Sequence, residues 1–221
     1  MATPVATIAF ERAQLDDACW VDVARGFVGG LGHDPSEVYA AVRDGIAWQQ
    51  GRVFRYERWI DEPRMGGMLR QGQQAPHIVL DETRRAIERH YGVGFGGCSF
   101  AYYRDHSDSM GLHRDRDMRW LDDTLIALLV LGDRRPFHLR PRANRYDHDA
   151  PHRGATVDVA PGHGDLIVMG GACQDRWEHG VPRPATPTGG RISAQWRWTS
   201  RQGRPVVGAS YRAPRHFSRS R

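Results

Sequence analysis

No apolar run in these 221 residues approaches the roughly 20 needed to cross a bilayer as a helix, so a helical membrane span is excluded. The opening stretch, Met1 to Phe10, lacks the charged start of a secretory signal, and the expected compartment is the cytoplasm. Cysteine is scarce. Cys19, Cys98 and Cys173 are an odd, scattered set that forms neither zinc-type pairs nor a disulfide framework, in keeping with a reducing compartment. Lysine is missing altogether: all 31 basic residues are arginine, a bias that base composition alone can produce and that carries little about function. No internal repeat is visible.

What is present suffices for one domain with its own core, without help from disulfides or oligomerisation, and a monomer is expected. Seven Trp, seven Tyr and seven Phe supply that core and exclude a disordered chain. A net charge of +5 and a pI near 9.5 permit an anionic partner such as nucleic acid. The tail from Arg201 to Arg221 holds six Arg and no acid; it reads as a solvated extension rather than a dedicated phosphate clamp.

Asp34-Pro35-Ser36-Glu37 signals a helix start, with Val38, Ala41, Val42 and Ile46 following at helical spacing. A second helix is expected over Asp81 to Tyr91, stopped by Gly92. Between them Arg52 to Trp59 alternates like a strand, which Asp61-Glu62-Pro63-Arg64 should break. From Gly96 the texture changes to short strands between Gly, Pro and Asp turns: Ser99–Arg104, Leu125–Leu131, Phe137–Arg140, Thr156–Val159, Asp165–Met169 and Arg191–Thr199. Arg140 to Arg153 reads as a polar insertion. The expected fold class is α+β: short strands at this spacing suggest a sandwich or a jelly roll (double-stranded β-helix) as the core, with N-terminal helices packed on one side. Within that one domain, residues 1–95 would supply helical support and a substrate lid, 96–200 the catalytic core, and 201–221 the tail.

The chemistry centres on His113-Arg114-Asp115. Two apart on an extended segment, the imidazole and carboxylate point to one face and can meet one ion. The best third ligand is His179, in Trp177-Glu178-His179-Gly180. Two His and one carboxylate on one face of an ion leave three positions open, the arrangement of iron(II) oxygenases. Alone, H-x-D is a weak signal. Arg191 and Arg197 strengthen it: six apart on a strand, they face the same way along with Ser193 and Gln195. Two inward Arg are costly unless an anion pairs with them, and a dicarboxylate is gripped bidentately by guanidinium.

These elements together resemble the AlkB family of 2-oxoglutarate/iron(II) dioxygenases. The resemblance covers roughly Trp48 to Arg201 and runs in order through Glu62-Pro63-Arg64, Tyr103-Arg104, His113-x-Asp115-x-Asp117, Trp177-x-His179 and Arg191-x5-Arg197. It implies that His113, Asp115 and His179 hold Fe(II). It implies that Arg191, helped by Tyr103 and Ser193, binds the distal carboxylate of 2-oxoglutarate, with Arg197 near the chelating end. Asp117 matches the acidic position that faces the substrate base, Met169 a position packed against the substrate pocket, and Arg64 belongs to the lid. The function implied is oxidative demethylation of N-alkylated bases (1-methyladenine, 3-methylcytosine) in single-stranded or damaged DNA, with RNA as a further polymer. Flipping a base from a duplex costs a few kcal/mol, which favours single strands.

Two departures from the family pattern stand out. Ala101 occupies a position where the family carries Asn, removing one cosubstrate hydrogen bond. The stretch Met68-Leu69-Arg70-Gln71-Gly72-Gln73-Gln74-Ala75-Pro76 lacks the stacking Tyr of the family lid; Trp59, Tyr56 or Trp120 would have to stack instead. Two other readings therefore stay open: the same chemistry hydroxylating a small molecule or protein side chain, and a catalytically silent nucleic-acid-binding module.

Overall fold

Alternation along one strand sets the architecture. In Arg191–Thr199, Ile192, Ala194 and Trp196 are buried in one apolar cluster, while Arg191 and Ser193 are buried on the opposite face. A strand with two buried faces must lie between two layers. The computed structural model describes residues 9–55, 57–115, 118, 121–142 and 155–200. The elements among them are β1 (Glu11–Gln14), β2 (Cys19–Ala24), α1 (Phe27–Gly30), α2 (Pro35–Gly45), β3 (Gln49–Arg55) and β4 (Arg58–Leu69). Then come α3 (Val79–Tyr91), β5 (Cys98–Tyr103), β6 (Met110–His113), β7 (Thr124–Gly132), β8 (His138–Pro141) and β9 (Val157–Asp158). The last are β10 (Leu166–Gly171), α4 (Cys173–Arg176), β11 (Trp177–Val181) and β12 (Arg191–Thr199).

A large antiparallel sheet has the order β1-β2-β10-β7-β12-β5-β4-β3, and a small one β6-β11-β8-β9. One face of the large sheet packs on α2 and α3 through Val38, Val42, Leu80, Ile87, Leu129, Ile192 and Trp196. The other packs toward the small sheet through Ile126, Leu128, Ile167, Phe137, Leu139 and Trp177. This is the expected α+β double-stranded β-helix with helices on one side.

Local signals place both main helices. Asp34 caps α2 in an extended conformation, its carboxylate accepting from the Ser36 amide at 2.8 Å, and Pro35 takes the first turn where its missing N–H costs nothing. Helix α3 starts at Val79, two residues before the expected Asp81, because Val79 and Leu80 are core residues. Gly92 ends it at φ 68, a conformation a side chain would resist.

The N-terminal part departs from expectation. It is not mainly helical support: β1 to β4 form both ends of the large sheet. Arg52 to Trp59 is not one strand but a hairpin, β3 pairing with β4 from Arg55↔Arg58 outward. Nor does Pro63 break β4. The β3–β4 register shifts between Gln50 and Arg52, and pairing with β5 begins only at Met65, so the proline sits where its missing donor is tolerated. The Pro63 carbonyl still accepts from the Ser109 amide at 2.9 Å.

Candidate active site

Register brings the first two ligand candidates together. His179 on β11 is the direct cross-strand partner of His113, the last residue of β6, and the two rings lie 4.4 Å apart between centroids. Asp115, two residues beyond β6, reaches the same point: its Oδ1 lies 3.4 Å from His113 Nε2 and 3.7 Å from His179 Nε2. One ligand atom from each of the three falls within 4.8 Å of the others, the one such group among the described residues. The surroundings hold these side chains in place. His113 Nδ1 meets the Gly111 carbonyl at 2.9 Å, which leaves Nε2 for an ion, and the Asp115 amide donates to Gln174 Oε1 at 2.9 Å. The Phe137 ring stacks on His179 at 6.0 Å.

Asp115 divides its two oxygens. Oδ2 accepts from Arg197 Nε at 2.6 Å, while Oδ1 faces both imidazoles. Burial works against its charge, but the His113 hydrogen bond and the positive charge of Arg197 more than reverse this, holding the carboxyl well below its usual range. Burial, with His113 and Arg197 nearby, depresses His179 to about 3. Its imidazole is therefore neutral at pH 7, the form that ligates a metal. Arg197 is further fixed by Ser99 Oγ at 2.5 Å and Gln195 Oε1 at 2.6 Å.

The site opens into a cavity of about 670 Å³ with Arg64, Tyr103, Ile126, Leu128, Ser193 and Gln195 on its walls. Beside the Tyr103 ring of that wall lies an unsatisfied group. Arg191 is fully buried, none of its three guanidinium nitrogens has a partner, and the Ser193 hydroxyl is unpartnered too. Burial pushes Arg191 down to about 10, which leaves it charged at neutral pH. Tyr103 lies beside it, the Arg191 Cζ 5.8 Å from the ring centroid, and burial raises its hydroxyl. A buried cation without an acceptor is costly, so this donor set fits a carboxylate, just as the His-Asp-His set fits a divalent metal.

The expected residues are distributed as follows. His113, Asp115, His179, Tyr103, Ser193 and Arg197 all line the cavity; Arg191 does not, but approaches the Tyr103 ring that does. Arg64 lines the cavity and pairs with Glu62 at 3.3 Å. Met169 does not. It is 1% exposed within the inter-sheet core, on β10 opposite Val21 and Ile126, and its role is packing. Asp117, Tyr56, Trp120, the tail and most of the Arg140–Arg153 insertion lie outside the described residues. Trp59 is 60% exposed and meets Phe54 edge-on at 5.6 Å on the β3–β4 hairpin, and Phe54 reaches the cavity wall. Sequence reasoning missed Gln174 and Arg135, because nothing local distinguishes them from other polar residues in turns.

Comparison with known proteins agrees with this geometry. Residues 62–204 match the 2OG-Fe(II) oxygenase superfamily. The alpha-ketoglutarate-dependent dioxygenase alkB homolog 3 of Bos taurus is 27% identical over 171 residues, 74% of this chain and 57% of that protein. Its Homo sapiens counterpart is 26% identical with the same coverage. The Homo sapiens DNA oxidative demethylase ALKBH2 is 28% identical over 104 residues, covering 47% of this chain and 40% of that one. The chain thus spans little more than half the length of these alkB homolog 3 proteins. Among solved structures, a prolyl hydroxylase from Trichoplax adhaerens, in complex with a hypoxia-inducible-factor peptide, superposes with a TM-score of 0.56 at 15% identity. That match covers 81% of this chain and 83% of the other, and at such identity it shows the shared fold.

Proposed function

The chain belongs to the 2OG-Fe(II) oxygenase superfamily and, within it, to the AlkB family, and from that premise we propose that it is an oxidative demethylase of N-alkylated bases in nucleic acid. The single observation that carries the reading is the pairing of two donor sets: a His-Asp-His cluster on the cavity wall, and a buried guanidinium with no partner beside the Tyr103 ring of that same wall. His113, Asp115 and His179 would hold Fe(II); Arg191, Tyr103 and Ser193 would hold the distal carboxylate of 2-oxoglutarate. The chemistry such a pair would supply is O2-dependent: one oxygen atom of O2 would go to 2-oxoglutarate, giving succinate and CO2, and the other to a base N-methyl group, whose hydroxymethyl product would release formaldehyde.

The protein's own part is positioning and charge. Arg197 holds Asp115 by Oδ2, so that Oδ1 is directed at the two imidazoles. Ile126, Leu128 and Phe137 form an apolar wall that keeps water from the reacting methyl group. A cavity of about 670 Å³ has room for a cosubstrate and a flipped base together. Phe54, on the cavity wall, and Trp59 against it would offer stacking surfaces, and Arg64 and Asp117 would face the base. The polymer would be single-stranded or damaged DNA, or RNA.

Hydroxylation of a small molecule or protein side chain is the second reading, favoured by the absence of any aromatic residue over Met68 to Pro76. Formaldehyde release separates the two. DNA carrying 1-methyladenine or 3-methylcytosine should yield formaldehyde only with Fe(II), ascorbate and 2-oxoglutarate all present, and none with the H179A protein. Succinate formation without formaldehyde would retain the oxygenase and reject the methylated base as its substrate.

A further inference from the structure

A second guanidinium is completely buried, and the metal and cosubstrate ligands do not account for it. Arg135 lies in the loop between β7 and β8 at 0% exposure. It donates to the Asp105 carbonyl at 3.1 Å and the Asp108 carbonyl at 2.5 Å, with the Pro182 carbonyl at 3.5 Å. Those carbonyls belong to the loop that joins Tyr103 to the His113 strand, and to the residue following the His179 strand. One side chain thus ties together the backbone around three site residues. Its charge is not neutralised by an ion pair among the described residues. The Asp108 carboxylate is taken by Arg104, at 2.8 Å from Nε and 2.9 Å from Nη2, and Arg135 Nε has no partner.

Tyr103 connects this group to the cavity. The Arg135 Cζ lies 5.2 Å from its ring centroid, on the same ring that Arg191 approaches at 5.8 Å. Backbone carbonyls need only neutral donors, so tying the loop does not by itself require a buried charge. A positive charge placed behind Tyr103, in a low-dielectric interior, strengthens the pull on an anion held in front of it. We propose that Arg135 is a positioning residue for the dicarboxylate cosubstrate: it fixes Tyr103 and adds a second positive charge, so that the Tyr103 hydroxyl and Arg191 converge on one carboxylate. This inference rests on the assignment of Arg191 and Tyr103 made above.

The test is titration of 2-oxoglutarate into Mn(II)-loaded protein, by calorimetry, with R135Q, Y103F, their double variant and R191A. R135Q should weaken 2-oxoglutarate about tenfold, with Mn(II) affinity unchanged. Its effect should also be less than additive with that of Y103F, because both act on one contact. An unchanged affinity in R135Q, or full additivity with Y103F, would overturn the role for Arg135 while leaving Arg191 in place. Undiminished binding in R191A would overturn the Arg191 assignment and this inference with it. If R135Q does not fold, R135K carries the same measurement. It keeps the charge but loses the fork, so affinity should stay within about threefold of the parent's; a loss of about tenfold or more despite the retained charge would sink the proposal.

Discussion

At the scale of single residues, each side chain proposed to hold a ligand would have a distinct duty, and substitutions should separate them. R191A should raise the 2-oxoglutarate concentration needed for turnover at least tenfold, about 1.4 kcal/mol or more, while metal binding stays near parental. Equal loss of both would make Arg191 structural. D115A should abolish metal binding, whereas R197A should weaken it more mildly, because the carboxylate remains but loses the contact that orients it. Metal titration followed by absorbance distinguishes the two. Most of these residues were legible in the sequence, because spacing of two along an extended chain puts side chains on one face. That rule placed His113 with Asp115, and Arg191, Ser193 and Arg197 together. Met169 was placed beside the substrate pocket by the family resemblance and not by that rule; it packs in the inter-sheet core, on a strand buried along almost its whole length. Arg135 and Gln174 were not legible, since their partners are backbone groups brought near only by the fold.

At the scale of elements, the strands after Gly96 that were anticipated lie within a residue or two of their places, because turns of Gly, Pro and Asp bound short apolar runs. The N-terminal strands were missed for a physical reason. β1 is exposed throughout, and β2 is buried along nearly its whole length, so neither alternates. The hairpin was read as one strand because its turn at Glu57 takes a φ of 59 without a glycine to announce it. That hairpin carries Phe54 and Trp59, each 60% exposed. F54S with W59S should change the unfolding free energy by no more than about 0.5 kcal/mol. It should nevertheless weaken binding of a methylated oligonucleotide, measured by anisotropy; unaltered binding would remove the hairpin from the substrate interface.

Asp165 ties α1 to β10. Buried beside Arg25, it accepts from the Gly162 amide at 2.7 Å, the Gly26 amide at 2.8 Å and Arg25 at 2.8 Å. Burial raises its carboxyl, but the two amides and Arg25 outweigh that and leave it below its ordinary value. The stability it contributes is therefore present above the unfolded value, near 3.9, and lost as pH falls through the lower folded value. D165N should cost about 1–3 kcal/mol at pH 7, and the deficit should shrink in acid. Denaturant melts at pH 7 and pH 3 read this directly, and a deficit independent of pH would contradict it.

At the scale of the whole molecule, charge governs how the protein meets a polyanion. Taking the six arginines of residues 201–221 from a net charge of +5 leaves −1. If nucleic acid is the substrate, affinity for a single-stranded oligonucleotide should fall steeply between about 50 and 200 mM salt. A protein ending at residue 200 should bind more weakly and with a flatter salt dependence. Equal slopes for the two would place the phosphate contacts within the folded core.

The pairing of His113 with His179 across β6 and β11 has a consequence for the protein's lifetime. Two ligands in direct register, if His113 and His179 hold the metal as proposed, would make the site a rivet through the small sheet, whose strands are all short. Loading it with metal would slow exchange of the β6 and β11 amides and close that sheet to proteases. An iron-poor cell would then hold a copy that is both idle and quicker to be cleared, so that supply of the metal would set abundance as well as activity. Hydrogen exchange of the apo and Mn(II)-loaded forms would show it as protection confined to the small sheet.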